Sequence, residues 1–100
     1  MDVQFRNKKL EKCYRKHVLA FQSWGEVVGR RYILRINIIK AARDMNELYA
    51  MGELKCHPLK GDRKGEYAIS LTGFWRLIFS LQGEQLRIVL VEEVSKHYDD

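Results

Sequence analysis

Residues 66–81 read EYAISLTGFWRLIFSL, and this stretch decides the fold. Apolar and polar side chains alternate with a period of two on both sides of Gly73, as in two half-buried strands joined by a tight turn. A polar turn over residues 82–85 then leads into a third apolar segment, 86–94. The sequence therefore predicts a three-stranded antiparallel meander. Its central strand carries Trp75, Leu77, Phe79 and Leu81 on one face and Phe74, Arg76, Ile78 and Ser80 on the other.

The residues before the meander show helical periodicity. Asn7 is expected to cap a helix over about residues 8–20, in which apolar side chains recur at helical spacing. Residues 23–26 (SWGE) have the form of a capping box that opens a second, longer helix. Residues 44–47 (DMNE) resemble another cap, which predicts a short helical turn ahead of Gly52.

Helices followed by a meander indicate an α+β domain, with N-terminal helices packed on a small antiparallel sheet. Three strands alone would leave an apolar face in water, so the helices must cover it. Residues 1–5 add a short alternating strand, and we find no repeat or linker, so residues 1–100 are predicted to form a single domain. The second helix is expected to keep Arg30, Arg31 and Arg35 outside. The rings of Trp24, Phe74, Trp75 and Phe79 are expected in the core rather than stacked on bases.

Length and charge narrow the function classes. One hundred residues leave room for one domain, and no apolar run approaches the ~20 residues of a membrane span. The N-terminus lacks a secretory signal, so we expect a soluble cytoplasmic protein with no membrane partner. The net charge is +5, but residues 1–43 hold eleven basic and three acidic side chains. That excess favours an anionic partner, although a solvated helix face gives the same pattern.

The cysteines and two of the histidines are candidate metal ligands. Cys13 and His17 would lie on one helix face, and Cys56 and His57 would supply two further ligands. The adjacent Cys56–His57 pair lacks the spacing of structural zinc sites, and Cys13 continues the apolar stripe of its helix. We therefore predict no metal site, no cofactor and no disulfide.

The remaining candidate groups are cations, histidines and hydroxyls. Arg76 stands in a strand interior, where a charge seldom lies without a partner. The loop 53–65 brings His57, Lys60 and Arg63 toward the same surface, and the cluster at 96–100 follows the last strand. Such a set suits metal-independent cleavage of RNA, because the ribose 2′-hydroxyl supplies the nucleophile. A structural role is as common for each residue; the partner of Arg76 would then be Glu66, Glu92 or Glu93.

A longer pattern resembles a known family. Residues 57–65 read HPLKGDRKG, followed by YAI at 67–69 and WRLIF at 75–79. This series, after a short helix at 44–48, is similar to that of the HigB-type toxins of the RelE/ParE superfamily. The resemblance implies a RelE-like fold and a ribosome-dependent mRNA endonuclease, or mRNA interferase, of a type II toxin–antitoxin system. It further implies cleavage in the ribosomal A site, inhibition of translation, growth arrest and neutralisation by a HigA-like helix-turn-helix antitoxin in an oligomeric complex.

The resemblance also places the family's site residues on this chain, and the roles given to them below are our hypothesis. The catalytic set falls on His57, Lys60, Arg76, His97 and Tyr98. Lys60 and Arg76 would stabilise the phosphate, while His97 or His57 would handle protons and Tyr98 would contact the substrate. RNA contacts are assigned to Arg63, Lys64 and Asp99, and docking on ribosomal RNA to Lys8, Lys9 and Lys12 on the basic first helix.

This chain departs from the family pattern at three places. The tail order His97-Tyr98-Asp99 replaces the usual Asp-Tyr-His, Phe74 stands where the family often has Asn, and Thr72 replaces a strand arginine of RelE-like members. These differences leave open which tail residue carries the proton. They also leave an alternative to the mRNA endonuclease: the chain would be a non-catalytic ParE-like inhibitor of DNA gyrase or an inactive toxin homologue.

Overall fold

The computed structural model describes residues 1–96 as four helices on one face of a five-stranded sheet. Residues 97–100 lie outside the described part of the chain. The strands are β1 (Asp2–Phe5), β2 (His57–Pro58), β3 (Glu66–Thr72), β4 (Trp75–Gln82) and β5 (Ile88–Lys96), and the helices are α1 (Lys8–Arg15), α2 (His17–Trp24), α3 (Glu26–Ala41) and α4 (Met45–Ala50). Short 3-10 turns occupy Gly52–Leu54 and Gly61–Arg63.

The sheet is mixed, with the strand order β1-β5-β4-β3-β2. The predicted meander is confirmed, because β3, β4 and β5 are neighbours and antiparallel. Beyond the predicted meander the sheet is mixed: β1 pairs with β5 in parallel, after which the chain passes through all four helices before β2. β2 adds only two residues at the other edge, opposite Tyr67 and Ala68. A strand that short gives no periodic signal in the sequence.

The core lies between the helices and one face of the sheet. Strand alternation places Leu77 and Phe79 against the helices, where Tyr32 of α3 is fully buried. We call the opposite face of the sheet, which the helices do not cover, the open face. The strand register around Arg76 identifies the residues that belong to it. It comprises His57, Glu66, Ala68, Ser70, Arg76, Ile78, Ser80, Glu93 and Ser95. Ala68 and Ile78, at its centre, are fully buried, and the other members are half-buried.

The first predicted helix is interrupted. Lys16 adopts an extended conformation between α1 and α2, so residues 8–20 do not form one helix. The cap at its start is confirmed, since the Asn7 Oδ1 atom accepts a hydrogen bond from the Leu10 amide at 2.9 Å. The cap of α4 is also confirmed, with Asp44 Oδ1 accepting from the Glu47 amide at 3.2 Å.

The predicted capping box at residues 23–26 was wrong. Ser23 and Trp24 belong to the end of α2, and Gly25, at φ +86°, makes the turn into α3. A glycine reaches this conformation without steric cost, so the two helices need no polar cap between them. The tight turn folds α3 back on α2, and Gly29 lies directly against the Ala20 backbone.

The prediction that Arg35 lies on the outer face of α3 was also wrong. Its side chain is buried, with 8% of the residue exposed. Its Nε atom donates to the Ser70 carbonyl at 3.1 Å, and Arg31 Nη1 donates to the Leu71 carbonyl at 3.3 Å. β2 is too short to cover this part of β3, and the β3–β4 register shifts between Ser70 and Thr72. The two arginines therefore provide hydrogen-bond donors for carbonyl groups at the end of β3. Burial and the nearby Arg31 lower the pKa of Arg35, against the opposing effect of Glu53.

The contact between α2 and α3 makes a stability test. A Cβ at position 29 would lie 2.8 Å from the Phe21 ring and 3.0 Å from the Ala20 carbonyl carbon. Gly29→Ala gains helix propensity but overpacks this contact, so we expect a net loss of about 1–2 kcal/mol in the free energy of unfolding. Urea unfolding measures it. The control is Gly52→Ala, where a Cβ meets nothing within 4 Å and the change should stay within about 0.5 kcal/mol. Equal stability of the two variants would contradict this packing.

Candidate functional site

Arg76 lies near the start of β4, on the open face. Its strand partners are Ser70 on β3 and Ser95 on β5. The flanking residues Trp75 and Leu77 pack toward the helices, so the Arg76 side chain points away from the core. Its Nη1 atom donates to the Gly73 carbonyl at 2.7 Å and the Trp75 carbonyl at 3.0 Å. These bonds hold the guanidinium group at the β3–β4 turn.

His57 joins the open face from β2. It pairs with Ala68, which in turn pairs with Ile78, two residues along β4 from Arg76. Two strand spacings of about 4.8 Å and two residue rises of about 3.3 Å put the Cα atoms of His57 and Arg76 about 12 Å apart. The Nδ1 atom of His57 lies 2.8 Å from the Lys55 carbonyl, which can only accept, so Nδ1 carries the hydrogen. The Nε2 atom is then the acceptor of the neutral ring, as a general base requires.

Lys60 lies in the loop after β2. It is exposed and directly precedes the 3-10 turn Gly61–Arg63. Together with Lys64 it lines an open hollow whose wall also includes Glu66 and Tyr67, at the start of β3. The structure thus brings Lys60 and Lys64 together at this edge of the sheet, beside the strand that carries His57.

Arg63, assigned to RNA binding, is part of an ion-pair cluster on the open face. Its Nε atom lies 2.6 Å from Glu66 Oε1 on β3, and its Nη1 atom lies 2.8 Å from Glu93 Oε1 on β5. The guanidinium group therefore spans β4 and ties the loop to both flanking strands. Hydrogen bonds to Glu66 raise the pKa of Arg63, with Glu93 adding to the effect. Any contact of Arg63 with RNA would form while its guanidinium group is paired with Glu66 and Glu93.

The sequence offered Glu66, Glu92 and Glu93 as partners of Arg76, but it did not show that a bulge brings Glu92 and Glu93 to the same face. The β4–β5 register shifts after Ile78, which pairs with Glu93, whereas Phe79 pairs with Val91. Glu92 is therefore the extra residue of β5 at this bulge. Its carboxylate accepts a hydrogen bond from the Ser80 hydroxyl at 2.7 Å and lies 3.6 Å from the Arg6 guanidinium group. A bulge of this kind re-aims side chains locally. The signal was present, because buried Val91 and core-packed Val94 are three positions apart rather than two or four.

The other assigned residues are placed as follows. Lys8, Lys9 and Lys12 are all exposed on α1, in the helical layer rather than on the open face. His97, Tyr98 and Asp99 lie outside the described residues. The structure thus assembles His57 and Arg76 on one face, adds Lys60 and Lys64 at its edge, and leaves the α1 lysines on a separate surface.

Solved structures share this architecture. A YoeB/ParE toxin from Agrobacterium tumefaciens matches with a TM-score of 0.58 and 18% sequence identity, over 98% of this chain and 100% of that one. YafQ from Escherichia coli strain BL21(DE3) matches with a TM-score of 0.60 and 18% identity, over 95% and 91% of the two chains. The YoeB–YefM complex from Staphylococcus aureus gives a TM-score of 0.54 and 17% identity over 98% of each chain.

The chain has the fold of these toxins. The expectation of a RelE-like α+β fold is therefore confirmed, and the structural neighbours belong to the RelE/ParE-like toxin superfamily. No protein-family model matches the sequence, and no curated protein matches it either. At these identities the likeness establishes the RelE-like fold alone.

The helical layer carries a surface of a different kind. Phe21, Ile33 and Leu34 line an apolar groove between α2 and α3, with His17 and Arg30 at its margin. Arg30 lies over the Phe21 ring at 5.1 Å and pairs with Glu26. This groove is remote from the open face, on the far side of the core.

The cysteines occupy packed positions. Cys13 is buried, with its Sγ atom 3.6 Å from the Ser23 hydroxyl. Cys56 is half-buried, and burial raises the pKa of its thiol to about 11. Across residues 1–96, no three His, Cys, Asp or Glu side chains cluster as a metal ion would require. Over the same residues, no helix has the length and apolar character of a membrane span.

The raised pKa makes Cys56 a poor nucleophile despite its place beside His57. At pH 8 about one thiol in a thousand is ionised at a pKa of about 11, against roughly a quarter for an ordinary thiol. We expect slow labelling by a disulfide reagent in the native protein, with a rate that rises about tenfold per pH unit from pH 7 to 10. Both cysteines should react at once in urea. Fast native labelling of Cys56 at pH 7.5 would contradict its burial.

Proposed function

We propose that this chain is a ribosome-dependent mRNA endonuclease of the HigB type, the toxin of a type II toxin–antitoxin pair. The observation that carries the proposal is the placement of the half-buried Arg76 and His57 on the same face of the sheet, the one away from the helices, each held by backbone carbonyls. A phosphate between them would meet a fixed cation and an imidazole nitrogen able to accept a proton. The shared fold with YoeB and YafQ supports the same conclusion.

The proposed reaction is an in-line transfer within the RNA strand. A base removes the proton from a ribose 2′-hydroxyl, whose oxygen bonds to phosphorus while the bond to the leaving 5′-oxygen breaks. An acid then protonates that oxygen, leaving a cyclic 2′,3′-phosphate. His57 or His97 handles these protons, which is worth about 10²–10⁴-fold in rate. Arg76 and Lys60 stabilise the charge on the phosphorane, and Tyr98 contacts the substrate. The step needs no metal ion.

Recognition of the ribosome is assigned to the basic helical layer. Residues 1–43 carry most of the positive charge, and Lys8, Lys9 and Lys12 are exposed on α1. Contacts with phosphates supply much of the affinity of such surfaces for RNA. The protein would act in the cytoplasm and be held inactive by a HigA-like helix-turn-helix antitoxin. The complex of YoeB with YefM gives a precedent for a partner protein on this fold.

A second candidate is inhibition of DNA gyrase, since one structural neighbour carries the name ParE as well as YoeB. In that case the open face would bind a protein and Arg76 would have no chemical role. Mapping of mRNA ends after induced expression separates the two functions. In-frame cuts in translated messages support the nuclease, whereas double-strand DNA breaks with intact messages support gyrase inhibition.

The assigned cations can be tested in cells. Arg76→Ala and Lys60→Ala should each relieve growth arrest and reduce mRNA cleavage, by about 100-fold or more for Arg76 if it stabilises the transition state. The control is Arg87→Ala, which removes an exposed arginine from the β4–β5 connection and should stay toxic. Thermal unfolding verifies that the variants are folded. If Arg76→Ala and Lys60→Ala both remained fully toxic, the assigned site would be wrong.

Ribosome docking can be tested separately from chemistry. Replacing Lys8, Lys9 and Lys12 by Gln should weaken co-sedimentation with ribosomes and lower the slope of log affinity against log salt by about 2. The comparison is the triple change of Lys40, Arg43 and Arg87 to Gln, which removes the same charge from other exposed positions. An identical slope for the two triple variants would show that α1 is not the docking surface.

A further inference from the structure

The loop between β2 and β3 is held against the open face. At the β3–β4 turn, by contrast, Phe74, expected in the core from the sequence, is 49% exposed. The Leu59 amide closes the base of the loop by donating to the Glu66 carbonyl at 2.8 Å, and within the loop the Arg63 amide donates to the Lys60 carbonyl at 3.4 Å. Lys60 and Arg63 therefore belong to one small hydrogen-bonded unit.

The Arg63 side chain extends the attachment of this loop from β3 across to β5. Its Nε atom lies 2.6 Å from Glu66 Oε1, and its Nη1 atom lies 2.8 Å from Glu93 Oε1. An isolated ion pair on a protein surface contributes little to stability. Here one guanidinium group makes two short charge-assisted bonds to different strands, and its planar fork fixes their directions. The side chain therefore fixes where the loop lies on the sheet.

This bridge crosses β4 at a buried apolar side chain. Glu66 pairs with Ser80 and Glu93 pairs with Ile78, so the Arg63 guanidinium group passes over β4 between these two positions. Ile78 belongs to the open face, away from the helices, and is nevertheless fully buried. The Arg63 side chain, which is 35% exposed, contributes to that cover. The loop is thus packed on the sheet through Arg63.

Lys60 and Arg63 differ in what surrounds their charges. Lys60 is exposed, and across residues 1–96 it forms no ion pair with a carboxylate. Arg63 faces two carboxylates, whose combined charge exceeds its own, so its attraction for a phosphate is compensated. Of the two residues, Lys60 is the one that can attract a phosphate, and Arg63 is the one that determines where Lys60 lies.

We propose that Arg63 is a positioning residue, which holds Lys60 at the edge of the open face and does not itself bind RNA. This role differs from the RNA contact that the resemblance implies for Arg63. The inference rests on the proposed function, since that function gives Lys60 a phosphate to stabilise. A cation that is fixed before the reaction stabilises the phosphorane without reorganisation, whereas a lysine on a mobile loop must first be ordered. Arg63 thus raises the rate of cleavage through Lys60.

The test is a double-mutant cycle on the rate of mRNA cleavage at saturating ribosome concentration. Arg63→Gln should slow cleavage by up to about 100-fold, the loss that displacement of a catalytic group produces. In a Lys60→Ala background the same change should have almost no further effect, because Arg63 acts through Lys60. If Arg63 bound RNA directly, or only stabilised the fold, the two losses would multiply, and that result would overturn the inference.

A variant with the opposite change in charge separates position from attraction. Glu66→Ala combined with Glu93→Ala removes two carboxylates from the open face, which by charge alone favours RNA. It also removes both partners of Arg63, so we expect slower cleavage, in the same range as for Arg63→Gln. Cleavage faster than that of the wild type would show that the released Arg63 acts on RNA, contrary to the proposal. Circular dichroism confirms that each variant is folded.

Amide hydrogen exchange reports the order of the loop without any cleavage. The amides at positions 63 and 64 are bonded within the loop, to the carbonyls of Lys60 and Gly61. Their exchange should become several-fold faster in Arg63→Gln and in the double glutamate variant. The matched control is Arg43→Gln, which breaks another arginine ion pair, with Glu47 at 2.8 Å, and should change neither these exchange rates nor cleavage. Unchanged exchange in Arg63→Gln would show that its ion pairs do not hold the loop.

The proposed function can fail in a way that is distinct from failure of this inference. If the folded wild-type chain cleaves no mRNA on ribosomes, the nuclease assignment is wrong, and with it the role of Lys60 that Arg63 serves. If the wild type cleaves mRNA while Arg63→Gln leaves loop exchange unchanged, or slows cleavage equally with and without Lys60, the nuclease assignment stands and the positioning role of Arg63 is wrong.

Discussion

The hydrogen bond from the buried Arg35 side chain to the Ser70 carbonyl attaches the end of β3 to the helical layer, and the candidate site depends on that attachment. It joins the central helix α3 to the end of β3, at the point where β2 no longer covers the strand. Loss of this bond leaves a part-buried carbonyl without the Arg35 donor, which costs up to about 1–3 kcal/mol. Ser70 is the strand partner of Arg76, so this one contact connects the helical layer to the side chain on which the proposed chemistry depends. Arg31 repeats the contact one residue along β3, and together they leave little exposed edge for another strand to join.

Two irregularities in the sheet shape the open face. The register shift between Ser70 and Thr72 frees the Leu71 carbonyl for Arg31, and the shift after Ile78 brings Glu92 and Glu93 to the same side. The first gives Arg31 a carbonyl partner at the end of β3, and the second brings two carboxylates to the open face. Ideal strands would have turned one of the two glutamates into the core, where an unpaired carboxylate is costly. The second bulge therefore keeps both carboxylates on the face where Arg63, Ser80 and Arg6 contact them.

Much of the fold was predictable because period-two alternation is a direct consequence of strand geometry. The meander, the caps at Asn7 and Asp44 and the outward direction of Arg76 all follow from local patterns. Two of the failures depend on partners distant in the chain, unlike the local break at Lys16 and the turn at Gly25. The parallel pairing of β1 with β5 and the burial of Arg35 against Ser70 leave no mark in their own segments. Of the candidate site, the sequence placed His57 and Arg76 on one surface. It also named Glu66, Glu92 and Glu93, but as partners of Arg76 rather than of Arg63, Ser80 and Arg6.

The acidic end of the open face bears on how RNA would approach. Glu66 and Glu93 are both held by Arg63, and Glu92 by Ser80 and Arg6, so each carboxylate already has a hydrogen-bonding or ionic partner. A carboxylate paired in this way repels a phosphate less than an isolated one, because the adjacent guanidinium compensates its field. Arg63 belongs to the loop that carries Lys60, so the cluster ties that loop to β3 and β5 and lies away from the hairpin end. In the proposed function, an incoming RNA strand would then reach Arg76 from the hairpin end of the open face rather than across the paired carboxylates at its centre.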